Sequence, residues 1–261
     1  MKKMLHTLAL AAAIVLASAG AARADDGQFK LLVLAVPNYW HPDYVANARE
    51  GFEKLARLHD VRLTFVTRAA PTFEADLSGF AAVVLLNDPD DGFNPAQQAT
   101  LERYMKAGGN TVVVHSAILL SKRGQWPWYE KLVGRNFVIH PIVQTAVVTK
   151  ADPAHPAAFG LPERWVWSDE WYEFANPHGV QINPVLAVDE RTYDPKRIWP
   201  GQVSNGMGAD HPMSWWHNYE KGRVFVTALG HNPAAYQDDR YLNHLWGGVW
   251  WAATGLGMQA R

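Results

Sequence analysis

The 261-residue chain contains no cysteine. It therefore cannot form a disulfide, bind a metal ion through thiolates or use a cysteine as a nucleophile. An excess of basic charge is also lacking, because 24 Lys and Arg residues oppose 25 Asp and Glu residues. Proteins that bind nucleic acid usually carry a basic surface, so the composition argues against a nucleic-acid partner.

A hydrophobic run long enough to span a membrane is lacking as well. The apolar run at residues 8–19 is shorter than the roughly 20 residues that a transmembrane helix needs. Two lysines precede this run and the small-residue sequence Ala-Arg-Ala follows it at residues 22–24, which is typical of a cleavable secretory signal. We predict a signal peptide over residues 1–24 and an exported, soluble protein of the periplasm or the extracellular space, with no membrane partner.

The remaining residues, 25–261, show no internal repeat or interdomain linker and are predicted to form a single α/β domain. Short apolar runs separated by segments of helical periodicity predict buried parallel strands at residues 30–36, 61–66, 80–86 and 111–115. The predicted fold is therefore an open, mostly parallel sheet with helices on both faces, as in flavodoxin-like proteins. The second half is less regular and predicts an elaborated sheet edge, with strands at residues 142–149, 185–188 and 223–228 and a final helix over residues 239–253.

Histidines follow the ends of several predicted strands. His41 lies in the loop after the first strand, His115 ends the fourth, and His231 lies just past a later strand. Ligands of open α/β sheets bind beyond the carboxyl ends of the strands. His211, whose backbone is restricted by the proline that follows it, could join the other three in a zinc-type ligand set. The alternative is a set of ordinary turn or core histidines, which is what we expect for His140.

His115 and Ser116 occupy the strand-to-loop position where α/β hydrolases and glutaminase-type amidotransferases carry their nucleophile. A neutral imidazole there could act as a base, hydrogen-bond a substrate hydroxyl or bind a metal ion. The alternative is a core histidine whose nitrogens bond to the backbone. The G-x-S-x-G pattern is absent around Ser116, so the sequence argues against a serine hydrolase.

Carboxylates alternate with aromatic residues at Asp169, Glu170, Trp171 and Tyr172. Such a mixture is typical of sugar sites, in which acids transfer protons or bind hydroxyls and rings pack on the apolar sugar face. A solvated edge strand would have the same pattern and remains the alternative. We predict His115, Asp169 and Glu170 as catalytic residues. The predicted substrate-binding residues are His41, Ser116, Trp171, Tyr172, Asp210, His211, Trp215 and His231.

Six segments together resemble the ThuA-like family of trehalose-utilisation proteins over about residues 30–255. They are GGNTVVVHSA from residue 108, WPWYEKLVG from 126, DEWY from 169, DHPMSW from 210, GRVF from 222 and LGH from 229. The resemblance implies a fold similar to class I glutamine amidotransferases and a substrate class of trehalose and related sugars, including 3-keto-glycosides. Those amidotransferases use a cysteine nucleophile, which this chain lacks, so a thiol glutaminase is excluded. The loop at residues 38–41 also departs from the aromatic-Arg-His triplet of many members.

We therefore expect an enzyme that acts on a glycoside or keto-sugar by acid–base or metal-assisted hydrolysis, elimination or isomerisation. Its partner would be a small carbohydrate, and self-association into a homo-oligomer stays open. One alternative is a noncatalytic sugar-binding protein that serves partner enzymes or a transporter. Another is an interaction module with a vestigial site, which would not bind sugar.

Overall fold

The computed structural model of the protein describes residues 27–87, 92–120 and 124–257, so the predicted signal peptide lies outside the described residues. The strands are β1 (Lys30–Ala35), β2 (Arg62–Val66), β3 (Ala82–Leu86), β4 (Thr111–Val114), β5 (Asn136–Ile139), β6 (Gln144–Lys150), β7 (Arg164–Asp169), β8 (Glu173–Ala175), β9 (Asn183–Asp189), β10 (Pro212–Tyr219) and β11 (Gly222–Thr227). The helices are α1 (Val45–Leu58), α2 (Pro95–Lys106), α3 (Pro127–Val133) and α4 (Asp239–Thr254).

Nine of these strands form one sheet in the order β2-β1-β3-β4-β11-β10-β9-β6-β7. The first five are parallel neighbours in a flavodoxin-like order. Beyond β11 every pairing is antiparallel, so that β9 and β7 run in the direction of the first five strands while β10 and β6 run oppositely. The mostly parallel α/β sheet is confirmed, and its elaborated edge is this antiparallel extension.

Helices cover both faces of the sheet. Gly248 of α4 lies directly over the Phe225 ring, which leaves no room for a side chain at that position, so Phe225 points toward α4. Its neighbour Val226 points to the opposite face, together with its cross-strand partner Trp215. The indole nitrogen of Trp215 donates to the Val133 carbonyl of α3 at 2.8 Å. Thus α3 and α4 lie on opposite faces, as the sequence predicted.

The predicted and observed boundaries of the predicted strands agree to within two residues. The fourth strand illustrates the physical cause of such a difference. This strand ends at Val114 because His115 takes a left-handed backbone conformation, with φ of 53°. His115 then begins the short 3₁₀ helix His115–Leu119. The strands β5, β7, β8 and β10 were not among those predicted from the sequence. Within the described residues, no helix is long and apolar enough to cross a membrane.

Candidate metal and substrate site

The candidate site lies at the carboxyl edge of the sheet. The strands β1, β3, β4 and β11 are parallel, so the residues that follow them meet at one edge. His41 comes from the loop after β1, His115 directly follows β4, and His231 comes from the loop after β11. The strand β7 runs in the same direction and delivers Asp169 and Glu170 to the same place.

Four side chains converge there into what we call the His–Glu cluster: His41, His115, Glu170 and His231. Their ligand atoms all lie within 4.8 Å of one another. The Nε2 atom of His41 lies 3.0 Å from Nε2 of His115 and 3.2 Å from Nδ1 of His231. The Glu170 carboxylate lies 3.4 Å from Nε2 of His115 and 3.2 Å from Nδ1 of His231.

Hydrogen bonds on the outer side of the cluster fix two of the imidazoles. Nδ1 of His115 lies 2.8 Å from the Ala228 carbonyl, which can only accept, so this nitrogen carries a proton. Nδ1 of His41 lies 3.1 Å from Oδ1 of Asn38, which also accepts from the backbone N–H groups of Trp40 and His41. The Nε2 atoms of both rings therefore face the cluster. Nε2 of neutral His41 presents a lone pair, and Nε2 of His115 presents one when that ring is neutral and donates to Glu170 when it is charged. Such outer-side bonds are typical of histidines that bind metal ions.

The electrostatics of the cluster favour a bound cation. Two lone pairs that face each other at 3.0 Å repel unless a proton or a metal ion lies between them. Although burial opposes ionisation, hydrogen bonds from His115 and His231 hold the pKa of Glu170 well below its usual range. Burial opposes charging of His115 as well, but its hydrogen bond to Glu170 raises its pKa. Burial and the charge on His115 lower the pKa of His41 to about 3, so that ring stays neutral.

The donor set suits a divalent transition-metal ion. Three imidazole nitrogens and one carboxylate oxygen are ligands that zinc and its neighbours in the first transition row accept. His41 and His115 are both buried, while Glu170 and His231 are partly open to solvent. A buried floor with an open side would let such an ion bind a substrate oxygen as well. The His–Glu cluster could therefore bind a metal ion.

Asp169 lies beside the cluster but faces away from it. Its carboxylate accepts hydrogen bonds from the indole of Trp167 at 2.9 Å and from the backbone N–H groups of Glu170, Gly230 and His231 at 2.9, 2.9 and 3.2 Å. Two of these donors belong to the loop that carries His231. Asp169, predicted as a catalytic acid, thus ties the end of β7 to that loop.

Tyr172 and His140 line the open side of the cluster. The Tyr172 hydroxyl lies 3.2 Å from Nε2 of His115, as a predicted substrate contact would. Nε2 of His140 lies 3.7 Å from the Glu170 carboxylate, and its Nδ1 bonds to the Pro141 carbonyl at 2.8 Å. Burial lowers the pKa of His140. His140 was expected to be a turn residue. Its position just ahead of β6 was the one sequence feature that distinguished it from His155, another His-Pro histidine, which is buried against α4.

Exposed aromatic side chains lie near the cluster in space or in sequence. The Trp199 ring stands edge-on to His140 at 5.2 Å and is 47% exposed. Tyr39 and Trp40, in the loop just before His41, are 78% and 75% exposed. None of these three aromatic residues was predicted from the sequence to contact substrate. Exposed aromatics beside a polar site could have been sought there, since rings pack on sugar faces.

Other predicted site residues lie apart from the cluster. His211 is fully buried, and its two ring nitrogens bond to Glu190 and to the Tyr172 carbonyl. The fourth member of the cluster is therefore Glu170 instead of the predicted His211. Trp171 and Trp215 are core residues with no exposed ring surface. Ser116 donates to Asn87 at 2.9 Å and is buried. The remaining predicted residue, Asp210, is exposed on the surface.

Comparisons with known proteins agree with this architecture. A family model described as ThuA, trehalose utilisation, matches residues 30–252. A ThuA-like protein from Bacteroides uniformis has 23% sequence identity and a TM-score of 0.70, covering 89% of this chain and 94% of its own. One from Parabacteroides merdae has 21% identity and a TM-score of 0.71, covering 89% and 92%. A β-galactosidase from Bacillus circulans sp. alkalophilus shares the fold over 85% of this chain and 31% of its own, at 11% identity and a TM-score of 0.52. No curated protein sequence matches.

Proposed function

Since the chain belongs to the ThuA family of trehalose-utilisation proteins, we propose that it is a metal-dependent enzyme that acts on a keto-sugar or glycoside related to trehalose. The observation that carries the proposal is the His–Glu cluster, in which hydrogen bonds hold His41 and His115 so that their Nε2 atoms converge with His231 and the Glu170 carboxylate. A divalent ion bound there would polarise a sugar oxygen as a Lewis acid.

The residues around the cluster supply proton transfer. Nδ1 of His140 bonds to the Pro141 carbonyl, which leaves Nε2 free to accept a proton. Its lowered pKa keeps the ring neutral near pH 7, as a general base requires. The Tyr172 hydroxyl, 3.2 Å from His115, is a proton donor on the same side. We therefore assign the base to His140, the donor to Tyr172 and a positioning role to Asp169.

A keto-sugar suits this arrangement better than an ordinary glycoside. Most glycosidases need two carboxylates that flank the scissile bond. Among the described residues, Glu170 is the carboxylate of the cluster. The Asp169 carboxylate is not available to a substrate in the same way, because it accepts hydrogen bonds from four N–H donors. A carbon next to a carbonyl needs only one positioned base once the carbonyl is polarised. His140 and the metal site meet that requirement.

Export to the periplasm or the extracellular space is part of the proposal. It is supported by the N-terminal sequence, in which two lysines, an apolar run and an Ala-Arg-Ala site follow one another. An exported enzyme of this kind would act on sugars before they enter the cell.

Turnover of trehalose and 3-keto-trehalose, measured before and after chelation and again after zinc is restored, tests the function. We expect turnover that chelation abolishes and zinc restores. His115→Ala should lose both metal and turnover, and His140→Ala should keep the metal but lower kcat at least about 100-fold. His178→Ala, which removes a histidine paired with Glu130 outside the cluster, is the control and should stay active.

The same experiment separates the alternatives. Sugar binding without turnover in any protein would establish a noncatalytic sugar-binding protein, which the exposed aromatic rim would also suit. No binding and no turnover, with or without zinc, would contradict the proposal.

A further inference from the structure

Asn87 stands at the crevice where a flavodoxin-like sheet binds its ligands. In this strand order the crevice opens between β1 and β3, where the order reverses. Asn87 directly follows β3, and the loop that carries His41 follows β1. The Tyr44 hydroxyl ties the two strand ends together, since it donates to the carbonyls of Val36 and Leu86 at 2.9 and 2.8 Å.

The side chain of Asn87 is anchored to the segment that carries the cluster residue His115. Its Oδ1 accepts from the Ser116 hydroxyl at 2.9 Å, and its backbone N–H donates to the Val114 carbonyl at 3.3 Å. Val114 and Ser116 flank the cluster residue His115. Asn87 and His115 both have a left-handed backbone, with φ of 55° and 53°. Such conformations in non-glycine residues are costly and gather at functional sites.

One atom of Asn87 lacks a partner within the described ranges. The side chain is only 2% exposed, and its amide nitrogen Nδ2 makes no hydrogen bond there. A buried donor without an acceptor costs free energy, so native proteins rarely keep one without a use. An amide N–H repels cations and attracts oxygen lone pairs. The partner to which Nδ2 can donate a hydrogen bond is therefore an uncharged or anionic oxygen and not the metal ion.

We propose that Nδ2 of Asn87 donates a hydrogen bond to a hydroxyl or carbonyl oxygen of the sugar bound at the His–Glu cluster. Asn87 is then a substrate-binding residue that selects which sugar oxygen faces the site, while Oδ1 stays anchored on Ser116. This inference rests on the proposed function, because it needs a sugar at the cluster. It adds a specificity-determining contact that the metal ligands cannot supply.

The test measures affinity for trehalose and for its monodeoxy analogues, each of which lacks one hydroxyl. Asn87→Asp keeps the acceptor for Ser116 but removes the N–H donor, and Asn87→Gly suits the left-handed backbone if Asp disturbs folding. We expect either variant to bind trehalose roughly 10- to 100-fold more weakly. The wild-type protein should bind one monodeoxy analogue more weakly by a similar factor, and the variants should no longer distinguish that analogue from trehalose. Zinc content should not change.

Asn110→Asp is the matched control, because Asn110 is a buried asparagine at the opposite end of the adjacent strand β4. Its side chain is fully engaged, donating to the Ala81 carbonyl at 2.9 Å and accepting from the Arg223 N–H at 3.0 Å. It should lose stability but keep sugar affinity. Wild-type affinity in both Asn87 variants would overturn this inference and leave the proposed function intact. A wild-type protein that binds no sugar would overturn both.

Discussion

At the residue scale, the direction of each side chain decides which histidines at the carboxyl edge of the sheet can bind a metal ion. His41, His115 and His231 follow parallel strands, and the structure brings all three together, as their positions at strand ends indicated. His211 directly precedes β10 at the same edge, yet its ring turns inward to the Tyr172 carbonyl. That direction depends on packing between segments far apart in the chain, which sequence spacing does not encode.

Two substitutions distinguish the observed donor set from the one predicted from sequence. Glu170→Gln removes the charged ligand and should lower zinc affinity at least about 10-fold. Loss of a residue that only hydrogen-bonds to a metal ligand already lowers metal affinity by about that factor. His211→Gln should keep one zinc ion per chain, because His211 lies outside the cluster. Elemental analysis after dialysis, with a competing chelator to rank affinities, measures both. Loss of zinc in His211→Gln together with retention in Glu170→Gln would contradict the assignment.

At the element scale, the strands with continuous apolar sequences were predictable and the aromatic-rich ones were not. β1, β3 and β4 are buried on both faces, so their sequences are continuous apolar runs. β7 is an edge strand in which buried Trp165 alternates with exposed Arg164 and Val166. Such a segment becomes a strand only because β6 pairs with it. The site depends on this strand, because its end carries Glu170.

Two buried neutral histidines, His244 on α4 and His155 packed against that helix, make folding sensitive to acid. Nδ1 of His155 accepts from the Ala157 N–H at 3.1 Å, and Nδ1 of His244 lies 2.8 Å from the Ala157 carbonyl. Burial lowers the pKa of His155 to about 3, helped by the charge of His244, and burial lowers that of His244 to about 4. Neither ring takes up a proton at mildly acidic pH while the protein is folded.

The sign of the pH effect follows from proton binding in the two states. Below about pH 6.5 the unfolded histidines bind protons and the folded ones do not, so the free energy of unfolding falls as the pH falls toward about 4. Each histidine should contribute about 1.4 kcal/mol per pH unit. Urea unfolding at about pH 6 and about pH 5 should show this slope. His244→Gln, which cannot titrate, should reduce it by about one histidine's share, and an unchanged slope would contradict the account.

At the scale of the whole molecule, the chain gathers its chemistry at one edge of a sheet whose order is flavodoxin-like. The alternation of strands and helices predicted that edge, and the family resemblance predicted the sugar class. The antiparallel extension from β10 to β7 was foreseen only as an elaborated sheet edge, because long-range antiparallel pairing leaves little local signal. The signal peptide and self-association remain predictions.

The measurement that tests the central claim most directly is anomalous diffraction at the zinc absorption edge from crystals of the zinc-loaded protein. The account predicts one strong peak per chain, coordinated by His41, His115, His231 and Glu170, with an open side toward Tyr172 and His140. A zinc-loaded crystal with no peak at the His–Glu cluster, or with zinc bound only elsewhere, would contradict it.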